Sequence, residues 1–182
     1  MNRSVFLVIW LTIGCQLLGC HHEVPPELPS ETTTGKDTFG CLVNGKVWLP
    51  GGHVPAVGFG KPKNLEVELG LNPDGKTTNL SVYAQINQGE KHILFFKSGI
   101  TTVGSYRIGV DSTSDVHYRD ESLPKKCWDF YYYSGQPGKQ VIDGKIILTR
   151  YDSVVSGRFS FTLVQPGCDT IRITDGRFDI KI

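Results

Sequence analysis

Leu80-Ser-Val-Tyr-Ala-Gln-Ile86 decides the fold, because apolar and polar side chains alternate strictly along the whole stretch. Alternation with a period of two is typical of a β-strand that has one buried face and one exposed face. The same pattern recurs in Leu65–Leu69, in Phe159–Leu163 and in Phe178–Ile182. No long stretch after Phe39 shows uninterrupted helical spacing. The sequence therefore predicts an all-β domain.

Asparagine or aspartate followed by glycine separates several of these segments, at Asn44-Gly45, Asp74-Gly75, Asp143-Gly144 and Asp175-Gly176. Such pairs tolerate the positive φ angles of tight hairpin turns. We expect hairpins at the first and last pairs, and either a turn or the start of a strand at the third. About nine to eleven mostly antiparallel strands over residues 39–182 would form a single β-sandwich or an irregular barrel.

The amino terminus predicts export and lipid anchoring. Arg3 supplies a positive charge, Val5–Ile13 an apolar run, and Leu17-Leu18-Gly19-Cys20 a bacterial lipobox. Cleavage before Cys20 would remove residues 1–19 as the signal peptide, and Cys20 would then carry the acyl chains that hold a protein at a bilayer. The apolar run is shorter than the roughly 20 residues that span a membrane. We expect a cell-envelope protein whose partner is the lipid bilayer.

Residues 20–38 are rich in proline and threonine and poor in aliphatic side chains. This composition cannot bury a core, so it predicts a flexible, disordered tether between the lipid and the domain. The chain carries 19 Lys+Arg and 18 Asp+Glu, and loss of Arg3 with the signal would leave it formally neutral. A neutral chain argues against a nucleic-acid partner, which requires a basic excess.

After loss of the signal peptide and lipidation of Cys20, three thiols remain, at Cys41, Cys127 and Cys168. In an oxidising compartment they allow at most one intramolecular disulfide. Cys41 and Cys168 both lie beside glycines at the start of predicted strands, which favours that pair, with the two other pairings left open. The remaining cysteine is expected to be a small buried hydrophobe.

No motif points to a catalytic centre or a cofactor. The glycine-rich residues 51–61 lack phosphate-loop spacing, and neither G-x-S-x-G nor H-E-x-x-H occurs. His53, His92 and His117 are far apart in sequence. We therefore expect no metal site, although a β fold can bring distant histidines together.

Acidic residues gather between residues 111 and 129, at Asp111, Asp115, Asp120, Glu121 and Asp129. Clustered carboxylates can bind Ca²⁺, and a suitably spaced pair can hydrolyse glycosidic bonds. The spacing matches no calcium loop, and nearby basic residues offset the charge. A solvated loop is the favoured interpretation.

The densest aromatic stretch is Cys127-Trp-Asp-Phe-Tyr-Tyr-Tyr133. In a strand, Trp128, Phe130 and Tyr132 would face one side, whereas Asp129, Tyr131 and Tyr133 would face the other. If the first side packs in the core, the second offers two rings and a carboxylate to a carbohydrate or peptide. Ordinary packing of tyrosines across strands is the alternative.

Three segments carry a resemblance to a known family: Thr38–Trp48, Val155–Leu163 and Ile173–Ile180. They resemble the opening and closing segments of an uncharacterised lipoprotein family of Bacteroidota, a domain of unknown function. The resemblance implies an exported all-β domain tethered to the outer membrane, on its periplasmic or its outer side. It implies no catalytic residues.

Together these features predict a non-enzymatic envelope lipoprotein. Its domain would bind a glycan or another envelope protein through the loops or the Tyr131 face, or serve a structural role without a small ligand. The alternative is a glycan-acting hydrolase that uses carboxylates of residues 111–129.

Overall fold

A computed structural model of the 182-residue chain describes residues 26–51, 64–109, 112–132 and 140–182. The predicted signal peptide, Cys20, His53, Asp111 and Tyr133 lie outside the described residues.

The described residues contain eleven strands and two short 3-10 helices, at Asn87–Gly89 and Lys125–Cys127. The strands are β1 (Thr38–Val43), β2 (Lys46–Trp48), β3 (Leu65–Leu71), β4 (Thr78–Ile86), β5 (Lys91–Ile100), β6 (Gly104–Arg107), β7 (Ser114–Asp120), β8 (Asp129–Tyr132), β9 (Gln140–Tyr151), β10 (Val154–Val164) and β11 (Ile171–Lys181). The prediction of an all-β fold is confirmed.

The strands form two antiparallel sheets. One has six strands in the order β2-β1-β11-β10-β9-β6, and the other has five in the order β3-β4-β5-β7-β8. Among the described residues no ladder of strand pairs joins the edges of the two sheets into a barrel. The fold is therefore a sandwich, which decides between the two predicted architectures.

The core lies between the sheets, where the inward side chains of both meet. Phe95 of the five-stranded sheet lies 4.9 Å from Phe159 and 5.8 Å from Phe178 of the six-stranded sheet, measured between ring centroids. Phe178 and Ile180 face this core as the alternation predicts, but Ile182 is 54% exposed. The chain ends beyond the edge of the packed layer.

Asn44-Gly45 forms the β1–β2 hairpin as predicted. The prediction of a hairpin at Asp175-Gly176 is wrong, because β11 runs through it as one strand with a register shift against β10. Asp175 has a φ of 52°, and a Cβ on Gly176 would lie 2.5 Å from the Phe159 carbonyl oxygen. Asp143-Gly144 is likewise inside β9. Both pairs serve bulges rather than chain reversals.

Residues 29–37, here called the N-terminal strap, lie on the outer face of the six-stranded sheet. Asp179 of β11 is 1% exposed beneath the strap. Its carboxylate accepts hydrogen bonds from the Thr32 hydroxyl (2.5 Å) and from the backbone N–H groups of Thr34 (3.1 Å), Gly35 (2.8 Å) and Lys36 (3.2 Å). The prediction of a flexible tether over residues 20–38 is therefore wrong for the strap. A polar segment without a core of its own is held instead by a buried carboxylate.

No helix in the described part of the chain is long and apolar enough to cross a membrane.

Candidate functional site

The outer face of the five-stranded sheet, here called the platform, carries the predicted binding residues that the structure describes. Asp129 and Tyr131 of β8 point to this face, whereas Phe130 between them is 3% exposed in the core. Tyr131 lies opposite His117 of β7, and Asp129 lies opposite Arg119. The predicted alternation along β8 is therefore confirmed for these three residues.

Strand pairing adds two side chains to the platform from positions distant in sequence, Leu94 of β5 and Tyr83 of β4. Leu94 of β5 pairs with both His117 and Tyr83 of β4, so these side chains form a row that ends at Tyr131. The rings of His117 and Tyr131 meet edge to face, with centroids 5.0 Å apart. The row combines aromatic surface with hydrogen-bonding groups, which is the composition of a site for a polar ligand with apolar faces.

His92, His117 and Asp129 form a continuous chain of hydrogen-bonding groups on the platform. His92 Nδ1 lies 3.2 Å from the Gly89 carbonyl oxygen, and His92 Nε2 lies 3.0 Å from His117 Nδ1. His117 Nε2 lies 2.5 Å from Asp129 Oδ1. Burial lowers the pKa of His92 and outweighs the opposing hydrogen bond with the Gly89 carbonyl. The structure thus places His92 and His117 in contact, although they are far apart in the sequence.

Arg119 borders this chain. Its guanidinium lies 5.3 Å from the centroid of the Trp128 ring and pairs with the Glu121 carboxylate at 2.5 Å. The prediction that Trp128 faces the core with Phe130 is wrong, because Trp128 follows the 3-10 helix with helical backbone angles and precedes the strand. Its ring instead supports the cation at the end of the platform.

The carboxylates proposed for a hydrolase have different environments. Asp120 accepts hydrogen bonds from the Lys91 ammonium and Ser122, which lower its pKa although burial alone would raise it. Asp115 lies on the platform four positions along β7 from Arg119, so it is separated from Asp129 by about 13 Å along the strand direction. Paired glycosidase carboxyls lie about 5–10 Å apart. Asp111 is outside the described residues.

The disulfide joins Cys127 to Cys168, so the predicted Cys41–Cys168 pair is wrong. Cys41 is fully buried in β1 between the sheets, and burial raises the pKa of its thiol to about 12. Cys168 follows β10 at the end of the sandwich, where its Cα lies 5.5 Å from that of Cys127. The prediction rested on the glycines next to Cys41 and Cys168, and a neighbouring glycine does not indicate which cysteines lie close together in the folded sandwich.

His92 and Arg119 were missed by the sequence analysis as members of a binding face. The sequence does contain a pattern that indicates such a face, namely polar or aromatic residues spaced by two. These pairs are Tyr83 and Gln85, His117 and Arg119, and Asp129 and Tyr131. Spacing by two places each pair on one face of its strand. The order in which strands pair is a long-range property, so it could not be read from these pairs.

The geometry defines a two-sheet β-sandwich with one outer face covered by an N-terminal strap and the other carrying a polar, aromatic platform. A family model for a domain of unknown function, DUF6252, matches residues 75–180, which is more than half of the chain. The chain belongs to this family. The matched residues include four of the five platform strands, β4, β5, β7 and β8, and the two closing segments of the resemblance, whereas β3 and Thr38–Trp48 lie outside them. Comparisons with the curated proteins and with the solved structures find no match.

Proposed function

We propose that this chain is a lipid-anchored bacterial envelope protein that binds a glycan on its platform and catalyses no reaction. The lipobox Leu17–Cys20 supports the anchor, and the resemblance to Bacteroidota lipoproteins supports the outer membrane as its location. The Cys127–Cys168 disulfide fits a chain exported to an oxidising compartment.

The anchor would hold the domain close to the bilayer. Leu28 and Pro29 already lie beside Gly40 of β1, so they belong to the domain rather than to a free tether. The chain from Cys20 to Leu28 spans at most about 29 Å when fully extended. Such a link keeps the sandwich within one domain diameter of the lipid headgroups.

One observation carries the proposed binding role: the Tyr131 ring and the Asp129 carboxylate share the outer face of β8, next to His117. Sugar rings offer an apolar face for stacking and hydroxyl groups for hydrogen bonding. An aromatic ring beside a carboxylate and an imidazole matches both features. Binding is favoured over hydrolysis because Asp120 is already held by Lys91 and Ser122, and Asp115 is distant from Asp129 along the sheet.

The test is a titration of the protein with a panel of envelope and plant glycans, read by calorimetry in the presence of EDTA. A saturable signal is expected with at least one glycan class. Tyr131→Ala should abolish it, and Tyr131→Phe should retain most of it because the stacking ring remains.

Thermal melting of both variants supplies the control. Binding that survives Tyr131→Ala, or a Tyr131→Ala protein that no longer folds, would contradict a binding role for this ring. Absence of any glycan signal would move the proposal to a protein partner in the envelope, with crosslinking in intact cells as the next measurement.

A further inference from the structure

The two histidines of the platform present a hydrogen-bonding conflict. The outer nitrogen of each ring faces an acceptor: His92 Nδ1 faces the Gly89 carbonyl, and His117 Nε2 faces the Asp129 carboxylate. A carbonyl and an ionised carboxylate only accept, so both outer nitrogens donate. A neutral imidazole has a single N–H. When both rings are neutral, the inner nitrogens, His92 Nε2 and His117 Nδ1, therefore both hold lone pairs, at a separation of 3.0 Å. An extra proton on either ring would instead form an N–H···N hydrogen bond between them.

Two lone pairs that face each other require a positive species between them, which is either a proton or a metal ion. We propose that His92 Nε2 and His117 Nδ1 bind a divalent transition-metal ion, with Cu²⁺ the preferred metal. The inference concerns this histidine pair alone and does not rest on the glycan proposed above.

The distance between His92 Nε2 and His117 Nδ1 favours some coordination geometries, and therefore some metals, over others. With metal–nitrogen bonds of about 2.0–2.1 Å, nitrogens 3.0 Å apart subtend about 91–97° at the ion. This is the angle between neighbouring ligands in square-planar or octahedral geometry, which Cu²⁺ and Ni²⁺ adopt. Tetrahedral Zn²⁺ would need the nitrogens to separate to about 3.3–3.4 Å. The ion would lie beside the line between the nitrogens, so each ring would tilt toward it.

The surroundings of the rings match those of metal-binding histidines. Such histidines usually donate the second ring N–H to a carboxylate or a backbone carbonyl, which orients the ring and fixes its tautomer. Asp129 and the Gly89 carbonyl occupy those two positions. The rings of Tyr83 and Tyr131 flank the pair, with centroids 5.4 Å from His92 and 5.0 Å from His117, respectively.

The remaining coordination positions would be open to water or to an external donor. His92 lines an open cleft of about 390 Å³ that also includes Glu90, Arg119 and Glu121. The positive charge of Arg119 opposes a metal ion, but its guanidinium is paired with Glu121 and lies near Trp128. Among the described residues no group of three or more His, Cys, Asp and Glu side chains converges as ligands. The part of the chain that the structure describes therefore supplies two protein ligands to the site.

The experiment titrates Cu²⁺ into the full chain carrying His21→Ala and His22→Ala, because those two imidazoles would compete for the metal. Calorimetry and electron paramagnetic resonance should report one saturable site with nitrogen ligands, and Ni²⁺ should bind it more weakly. His92→Ala and His117→Ala should each abolish this site. Asp129→Asn, which changes only the orienting partner, should weaken it by about 10–100-fold. His53→Ala is the matched control and should leave it unchanged.

A measurement without ring substitutions keeps the test independent of folding. Addition of Cu²⁺ should broaden the imidazole NMR signals of His92 and His117 before those of His53. Absence of saturable Cu²⁺ binding would overturn the proposal and assign the space between the rings to a shared proton. Binding that persists in both histidine variants, or that is lost in His53→Ala, would overturn it as well.

Discussion

The Asp179 carboxylate should be the most costly single polar group to alter, and Asp179→Asn is the change that isolates its charge. One carboxylate oxygen accepts from Gly35 N–H and the Ser156 hydroxyl, and the other accepts from Thr32, Thr34 and Lys36. An asparagine side chain occupies nearly the same volume but has one oxygen. Its amide group would therefore oppose some of the donors that now hold the strap.

The expected loss follows from this geometry. In its best orientation the asparagine oxygen keeps the contacts with Thr32, Thr34 and Lys36, and the Ser156 hydroxyl turns to accept from the new amide. Gly35 N–H is then left without an acceptor, at a cost of about 1–3 kcal/mol. The retained hydrogen bonds also lose the strengthening that a charged acceptor gives. We expect Asp179→Asn to lower the free energy of unfolding by about 3 kcal/mol.

Urea unfolding followed by tryptophan fluorescence measures this loss, and the melting temperature should fall by about 6–12 °C. Asp175→Asn is the matched control, because Asp175 is on the same strand but exposed, and it should cost less than about 0.5 kcal/mol. Trypsin should also cleave after Lys36 faster in the Asp179 variant, since the strap is released. Equal stability of the two variants would refute the reasoning.

The stabilisation that the Asp179 carboxylate contributes should decrease at acidic pH. Burial alone would raise the pKa of Asp179, but the hydrogen bonds from Ser156, Thr32, Gly35 and Lys36 outweigh it and lower that pKa. A lowered pKa means that the stabilisation is complete above the unfolded value of about 3.9 and is lost as the pH falls below it. The stability difference between wild type and Asp179→Asn should shrink by about 1.4 kcal/mol for each pH unit below that value.

Three further changes test other parts of the fold. Cys168→Ser opens the disulfide, which closes a separation of 41 residues, and should cost about 4 kcal/mol in urea unfolding. Gly144→Ala places a Cβ 2.2 Å from the Ile108 carbonyl oxygen and should cost about 2–3 kcal/mol. Gly70→Ala, whose Cβ would meet only the Asn79 Cβ at 4.0 Å, should cost nothing measurable in the same assay. Deletion of residues 176–182 removes half of a strand paired on both sides, so circular dichroism should show an unfolded chain. A cooperatively melting truncation would contradict that role for β11.

Local patterns predicted the strands, but the same local chemistry served different structures. Asn44-Gly45 reverses the chain, whereas Asp175-Gly176 continues one strand through a bulge. Both pairs provide a residue at positive φ followed by a glycine. The difference at Gly176 is the close approach of the Phe159 carbonyl from the neighbouring strand. That contact exists only after β10 and β11 have paired, so the dipeptide alone could not distinguish the two outcomes.

The platform was predictable only in part, because patterns within one strand can be read from the sequence and contacts between strands cannot. Alternation along β8 placed Asp129 and Tyr131 on one face, because that is a property of a single strand. The contact between His92 and His117 depends on β5 pairing directly with β7, while β6 leaves to the other sheet. Nothing between the two histidines in sequence marks this change of sheet. Long-range strand order therefore carried the information that composition and spacing lacked.

The two outer faces of the sandwich suggest how an anchored domain would be oriented. The strap lies on the six-stranded sheet, so Pro29, at which the strap begins, is on that side of the domain. The platform is on the opposite side, because the two sheets pack face to face through Phe95 and Phe159. A link of at most about 29 Å favours a bilayer next to the strap and a platform that faces away from it. If the chain is anchored at Cys20 as proposed, Asp179 would have two roles: it would stabilise the fold, and by holding the strap it would help to determine which face the domain presents.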